Sequence, residues 1–342
     1  MNTMLYSELQ DKRVKLKEKI PLKTPFGLFI EPTNWCNFKC IFCPRNCEDF
    51  SLYAGGFQHL QQELSLKIIN DIKKFPDKIK TVRLYYTGEP LLYPDFCSLL
   101  KNIVQADITD RIEITTNGSL LTKEISKQIL NIAQDYSGTI YLRFSIYSVE
   151  QKRHSFITKS NFSIDCIRNN ISLFQHIRNK ENIKNVITYA KMLNTFTREN
   201  EKFLSIYQKI VDETALEEPM NWSGFGDKNL LDSTYTHNQI TQLSLLHMPK
   251  ACSYPFDTMA IMSDGAVISC CVDWSRQTYI GDVKTESLRD IWNGEKLKEL
   301  RKLHLLGLRE KNKACKNCRR LPCHEEDDLN GISVSVLDKP NI

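Results

Sequence analysis

The stretch WCNFKCIFCPRN, residues 35–46, sets three cysteines close together: three residues separate Cys36 from Cys40, and two separate Cys40 from Cys43. It follows directly on a short apolar run, GLFIEP (27–32), that has the character of a buried strand. Thiolates are soft ligands suited to iron-sulfur clusters or to zinc. Spacing this tight lets three of them converge on one cube and leaves its fourth corner without a protein ligand. An open corner turns a cluster from an electron store into a catalyst.

Outward from that loop, strand-like runs recur: TVRLYYT (81–87), RIEITT (111–116), TIYLRFSIY (139–147), NVITYAKML (185–193) and a sixth near Met220. Helical periodicity fills the intervals, as in SLKIINDIKKF, LTKEISKQILNIAQDY, IDCIRNNISLFQHI and NEKFLSIYQKIVDE. Alternation of this kind implies βα units and an α/β fold with a parallel sheet. Chemistry then belongs on loops at the C-terminal strand ends. The unusual residues fall there: Cys36 to Cys43 after the first strand, Thr87-Gly88-Glu89-Pro90 after the second, and Thr116-Asn117-Gly118 after the third.

The chain has 342 residues, 41% hydrophobic and 25% charged, enough for one large domain and a smaller one. A net charge of +5, with Lys and Arg scattered, does not favour nucleic acid as a partner. No run of about 18 apolar residues and no secretory signal is present, so no membrane is expected and the chain is expected in the cytoplasm. Twelve cysteines are many for a reducing compartment, where disulfides rarely persist; metal or cluster ligation explains them best. Lone Cys97 and Cys166 fall in helical patterns and read as packed thiols. The seven dispersed His suggest no His-ligated metal.

A second cysteine set begins at Cys252 and continues through Cys270, Cys271, Cys315, Cys318 and Cys323. Within it, MAIMSDGAVISCC reads as a Gly-turn hairpin and SLRDIWNGEKLKELRKLHLL as a helix. Cys315 and Cys318 form a two-spaced pair. Zinc is the competing reading for both sets, with Cys47 as the fourth thiolate of the first and four tail cysteines for the second.

The first loop resembles the signature of the radical S-adenosylmethionine (SAM) superfamily: three cysteines at these spacings, with an aromatic, here Phe42, before the last. The resemblance covers roughly residues 27 to 225 and implies a partial (β/α)6 TIM-like barrel. It also implies a [4Fe-4S] cluster on Cys36, Cys40 and Cys43, with SAM chelated at the open iron. Thr87-Gly88-Glu89-Pro90 is similar to the family's loop for the SAM amino group, with Thr87 in place of a Gly. By the same resemblance Ser145, Asn117 and Lys191 are SAM contacts; the Asp usual two residues after Ser145 is Tyr147 here. The tail resembles the small cysteine-rich SPASM or shorter twitch domain, which implies one auxiliary [4Fe-4S] cluster on Cys252, Cys270, Cys315 and Cys318, for which Cys271 and Cys323 compete with Cys270 and Cys318. The expected organisation is an extension at 1–25, the barrel at 26–225, a linker at 226–250, the auxiliary domain at 251–326 and a tail at 327–342.

Such an enzyme would be reduced by flavodoxin or ferredoxin and would form a 5'-deoxyadenosyl radical, chemistry that belongs to the cofactor and is positioned by the protein. After hydrogen abstraction, loss of an electron and a proton oxidises a secondary alcohol to a ketone. A thiol such as Cys271 or Cys323 returning hydrogen from the other face epimerises the centre instead. Only 35 residues precede Cys36, short of the 80 to 90, on the order of a small domain, that leader-binding modules of peptide-modifying relatives need. A small polar substrate such as a sugar or aminocyclitol is therefore expected, with peptide modification as the second reading and a non-enzymatic zinc protein as the third. Trp222 and Gly224-Phe225-Gly226 are pocket candidates.

Overall fold

The computed structural model describes residues 14–217, 250–316, 318 and 327–338. Nine strands form one sheet in the order β6-β5-β4-β3-β2-β1-β7-β8-β9. The strands are β1 Gly27–Ile30, β2 Thr81–Arg83, β3 Arg111–Thr116, β4 Thr139–Ile146, β5 Val186–Leu193, β6 Glu213–Glu217, β7 Thr258–Ile261, β8 Ala266–Ile268 and β9 Tyr279–Asp282. Strands β1 to β6 pair in parallel, each with its neighbour in sequence.

One register row explains the stack. Leu28 lies opposite Val82, Val82 opposite Ile112, Ile112 opposite Ile140, and Ile140 opposite Val186. All five are buried in the same core as Ile68, Leu100, Ile129 and Ile171 from the helices Gln62–Ile72, Phe96–Ala106, Lys123–Gln134 and Ile164–Lys180. Each such side chain taken from water contributes about 1.5–3 kcal/mol. Side chains alternate along a strand, so the residues between them face away from those helices. That inner face carries Arg83, Glu113, Arg143, Tyr189 and Lys191.

The sixth strand differs from expectation. It forms at Glu213–Glu217, while Met220 lies outside the described residues. ETALE is only partly buried, as befits the sheet edge, and lacks the β-branched run that marks β3 to β5. Trp222, Gly224 to Gly226, Cys323 and residues 226–249 of the expected linker also lie outside the described residues.

The C-terminal segment continues the same sheet. Strand β7 pairs in parallel with the free edge of β1, and β8 and β9 follow antiparallel. The helix expected over 287–306 is two, Leu288–Asn293 and Glu295–Leu305, parted at Gly294, whose extended backbone (φ −72°, ψ 158°) no helix continues. Fully buried Trp292 donates from Nε1 to Leu22 O at 2.7 Å, and Arg301 donates to Pro255 O at 2.8 Å while lying over the Trp292 ring. The first bond fastens the tail to Leu22 and the second ties the two tail helices to the segment before β7.

Candidate functional site

The loop carrying Cys36, Cys40 and Cys43 leaves the C-terminal end of β1 and is held by main chain. Lys39 N and Ile41 N donate to Thr158 O and Ile157 O, at the end of the helix Gln151–Thr158, each at 2.9 Å. Arg45 donates to Asn34 O at 2.7 Å and to Phe38 O at 3.2 Å, closing the loop on itself. Burial pushes the Cys36 thiol up to about 12, and Cys40 and Cys43 are raised chiefly by burial as well. After burial, Glu89 and then Cys43 raise Cys36 further, and Cys43 and Cys36 raise Cys40, so the three lie within electrostatic reach of one another. Buried thiols of this kind become thiolates when a cation stands beside them. The donor set therefore fits an iron-sulfur cluster.

Gly88 brings the next loop against this one. A Cβ there would strike Thr33 O, and Trp35 O at 2.5 Å, both backbone atoms, and Glu89 N donates to Trp35 O at 2.8 Å. Only glycine permits that approach. The Glu89 side chain, 3% exposed, turns toward β3: it accepts from Thr116 Oγ1 at 2.6 Å, Asn117 N at 2.7 Å and Leu91 N at 3.1 Å. Burial pushes its carboxyl up to about 7 against the pull of those bonds. Pro90 opens the short 3-10 turn that follows, with Glu89 as its cap. Thr87, where the family pattern has Gly, donates through its hydroxyl to Glu31, which is buried at the end of β1 and also accepts from Ser263 N and Oγ at 3.2 and 3.1 Å. The departure thus links the loop to the tail hairpin.

Asn117 joins the cysteine loop directly, donating from Nδ2 to Asn37 Oδ1 at 2.9 Å, and Asn37 donates to Ser119 Oγ at 2.8 Å. Phe42 packs against Tyr147 with ring centroids 5.7 Å apart. Tyr147, in the position where Asp was expected, has its hydroxyl held in protonated form by burial and by Cys40, Cys36, Cys43 and Glu89 beside it. Ser145 stands opposite Lys191 in the β4–β5 register, and Lys191 is paired with Glu217 at 2.9 Å.

The tail cysteines gather at a second place. Cys252, Cys270, Cys315 and Cys318 line one cavity with His304, Thr278 and Arg309. Burial raises the Cys252 and Cys270 thiols well above their ordinary range and Cys315 to about 12. Cys271, adjacent in sequence, packs instead with Phe29, Ala260, Met262, Tyr85 and Tyr86, a cluster separate from the main core. Two residues the sequence did not flag support this site. Asp273, fully buried, accepts from Thr278 N at 2.6 Å and folds the loop after Cys270. His304 meets two of the cysteines. No disulfide joins the described cysteines, and among the described residues no three Cys, His, Asp or Glu side chains are contracted around a single metal ion.

The inner face of the sheet is ionic. Buried Glu113 accepts from Arg83, Arg111 and Arg143 at 3.0, 2.7 and 3.4 Å, and Arg143 also reaches Glu217 at 3.5 Å and the Tyr85 hydroxyl at 3.3 Å.

Comparison with known proteins places these features in a family. Residues 30–197 match the model of the radical SAM superfamily, and residues 252–319 match SPASM, an iron-sulfur cluster-binding domain. The S-adenosyl-L-methionine-dependent 2-deoxy-scyllo-inosamine dehydrogenase of Niallia circulans is 25% identical over 131 residues, 38% of this chain and 51% of that one. The matched segments span about half or less of the first curated relatives' length. The crystal structure of BtrN in complex with AdoMet and 2-DOIA covers 88% of this chain and 97% of its own at a TM-score of 0.55 and 16% identity. Streptococcus suis SuiB bound to its precursor peptide SuiA covers 92% and 78% at 0.53 and 17%. At such low identities the structural likeness shows the fold alone. No helix among the described residues is long and apolar enough to cross a membrane. With its cysteine loop, its Gly-Glu-Pro turn and its cysteine-rich tail matched by both models, the chain belongs to the radical SAM superfamily, whose cofactors are SAM and a [4Fe-4S] cluster, and carries a SPASM auxiliary-cluster domain.

Proposed function

We propose that this chain oxidises or epimerises a small polar substrate, such as a sugar or aminocyclitol, by hydrogen-atom abstraction. SAM and its cluster, bound at Cys36, Cys40 and Cys43, would supply the 5'-deoxyadenosyl radical that removes the hydrogen. The protein's part is to hold and orient. Gly88 and Glu89 would present main chain to the SAM amino group, with Asn117, Ser145 and Lys191 as further contacts and Phe42 packing beside the cluster. Cys252, Cys270, Cys315 and Cys318 would hold one auxiliary cluster, and flavodoxin or ferredoxin would deliver electrons.

The observation that carries the substrate class is the ionic inner face. Arg83, Glu113, Arg143, Lys191 and Glu217 present charged, directional groups there, suited to a hydroxyl- or amine-bearing molecule more than to an apolar one. The name of the Niallia circulans relative supports the same reading. Cys271, packed with Phe29 and Tyr85, is the thiol this reading would use for epimerisation. Substituting Cys271→Ala would then leave 5'-deoxyadenosine formation intact and abolish the epimer.

The deciding experiment incubates reduced, reconstituted protein and SAM with aminocyclitols, with nucleotide sugars and with peptides, and follows 5'-deoxyadenosine and product by mass spectrometry. Turnover with the small polar compounds is expected. Turnover with peptides alone overturns the proposal in favour of peptide modification.

A further inference from the structure

His304 is the one histidine lining the cavity of the tail cysteines among the described residues, and its surroundings assign its protons. It is 1% exposed on the helix Glu295–Leu305. Its Nδ1 accepts the Cys252 main-chain N–H at 3.1 Å. A ring nitrogen that accepts carries no proton, so the ring is neutral and its hydrogen sits on Nε2. Nε2 lies 3.6 Å from Cys315 Sγ, within reach of the larger sulfur atom. One imidazole thus fixes the backbone of one tail cysteine and points its only N–H at the thiol of another. The pair Cys315 and Cys318 is held independently, because Arg309 donates to Cys315 O at 2.7 Å and to Cys318 O at 3.4 Å.

We propose that His304 is a positioning residue of the auxiliary cluster, donating its Nε2–H to the Cys315 thiolate and thereby raising the reduction potential of that cluster. The physical reason is charge. A donor at a ligating sulfur draws electron density from it and favours the reduced, more negative state, one of the recognised ways a protein sets cluster potentials. A higher potential makes the auxiliary cluster a better electron acceptor, the property an oxidation on the inner face needs. The inference rests on reading Cys252, Cys270, Cys315 and Cys318 as the ligands.

The test uses the full chain with Cys36→Ala, Cys40→Ala and Cys43→Ala, so that only the auxiliary cluster is present. After anaerobic reconstitution, iron and sulfide are measured, and the reduced cluster is titrated by EPR with 15N-histidine label. The expected result is about four irons per chain, a weak nitrogen coupling, and a lower midpoint potential in His304→Leu that His304→Gln partly restores. Equal potentials in all three, or no nitrogen coupling in the His304 protein, overturn the proposal. Loss of iron from both His304 variants with retention in Cys315→Ala would make His304 a ligand and also overturn it. A background chain without iron or sulfide would instead remove the auxiliary-cluster reading on which the inference stands.

Discussion

Replacing Glu113 with Gln removes the one buried anion around which three guanidinium groups are arranged. Burial alone would raise this carboxyl, but Arg83, Arg143 and Arg111 outweigh it and bring it from an ordinary 4.5 to about 2. That difference corresponds to ~3 kcal/mol of stability at neutral pH. An independent route agrees, since breaking a buried ion pair by removing one partner costs about 3–5 kcal/mol. The partial exposure of Arg83 and Arg111, 22% and 25%, favours the lower end of that range. The sign follows from the direction: a depressed folded value gives stability that is present above about pH 4.5 and lost as pH falls toward 2. Urea denaturation of the cluster-free chain at several pH values should show Glu113→Gln less stable by ~3 kcal/mol at pH 7, with the gap closing on acidification. A difference below about 0.5 kcal/mol, typical of exposed pairs, or one constant with pH, refutes the reasoning.

Gly88→Ala should force the Gly-Glu-Pro turn off the cysteine loop, costing about 1–3 kcal/mol and, through misplacement near 1 Å, about a hundredfold in 5'-deoxyadenosine formation; wild-type rates would contradict it. Glu89→Gln sets an amide N–H against either Asn117 N–H or Leu91 N–H and should destabilise by about 1–3 kcal/mol in urea titrations. Cys252→Ala should lower iron by about four per chain, whereas Cys47→Ala and Cys271→Ala should leave it unchanged; equal losses from all three would remove the assignment of ligands.

The sequence was most legible where one residue type answers one physical demand. RIEITT is β3 without a residue to spare, because alternating β-branched side chains suit a strand whose two faces meet helices and an ionic interior. The cysteine loop and Gly88 were likewise readable, the first from spacing and the second from the resemblance of its Gly-Glu-Pro run, and the structure adds the backbone contact that only glycine allows there. What escaped were the pairings made across the fold. The sequence left Cys271 competing with Cys270 on resemblance alone; in the fold Cys270 lines the cavity while Cys271 packs toward Phe29. His304 sits eleven residues before Cys315 and fifty-two after Cys252, and no spacing rule joins it to either. Tyr147 looked like a defect in the family pattern and turns out to pack on Phe42 beside all three cysteines. The short helix Gln151–Thr158, which anchors the cysteine loop, has little amphipathic periodicity to announce it. The tail's continuity with β1 likewise depends on β7 finding an edge that only the folded sheet presents.

In the proposed function, Cys36, Cys40 and Cys43 hold the cluster at which SAM is cleaved. The most direct test of this role is 5'-deoxyadenosine released from SAM by the anaerobically reconstituted, dithionite-reduced protein, compared with Cys36→Ala, Cys40→Ala and Cys43→Ala singly. 5'-Deoxyadenosine is expected from the parent chain and none above background from each variant. Undiminished 5'-deoxyadenosine from any one of the three would contradict it.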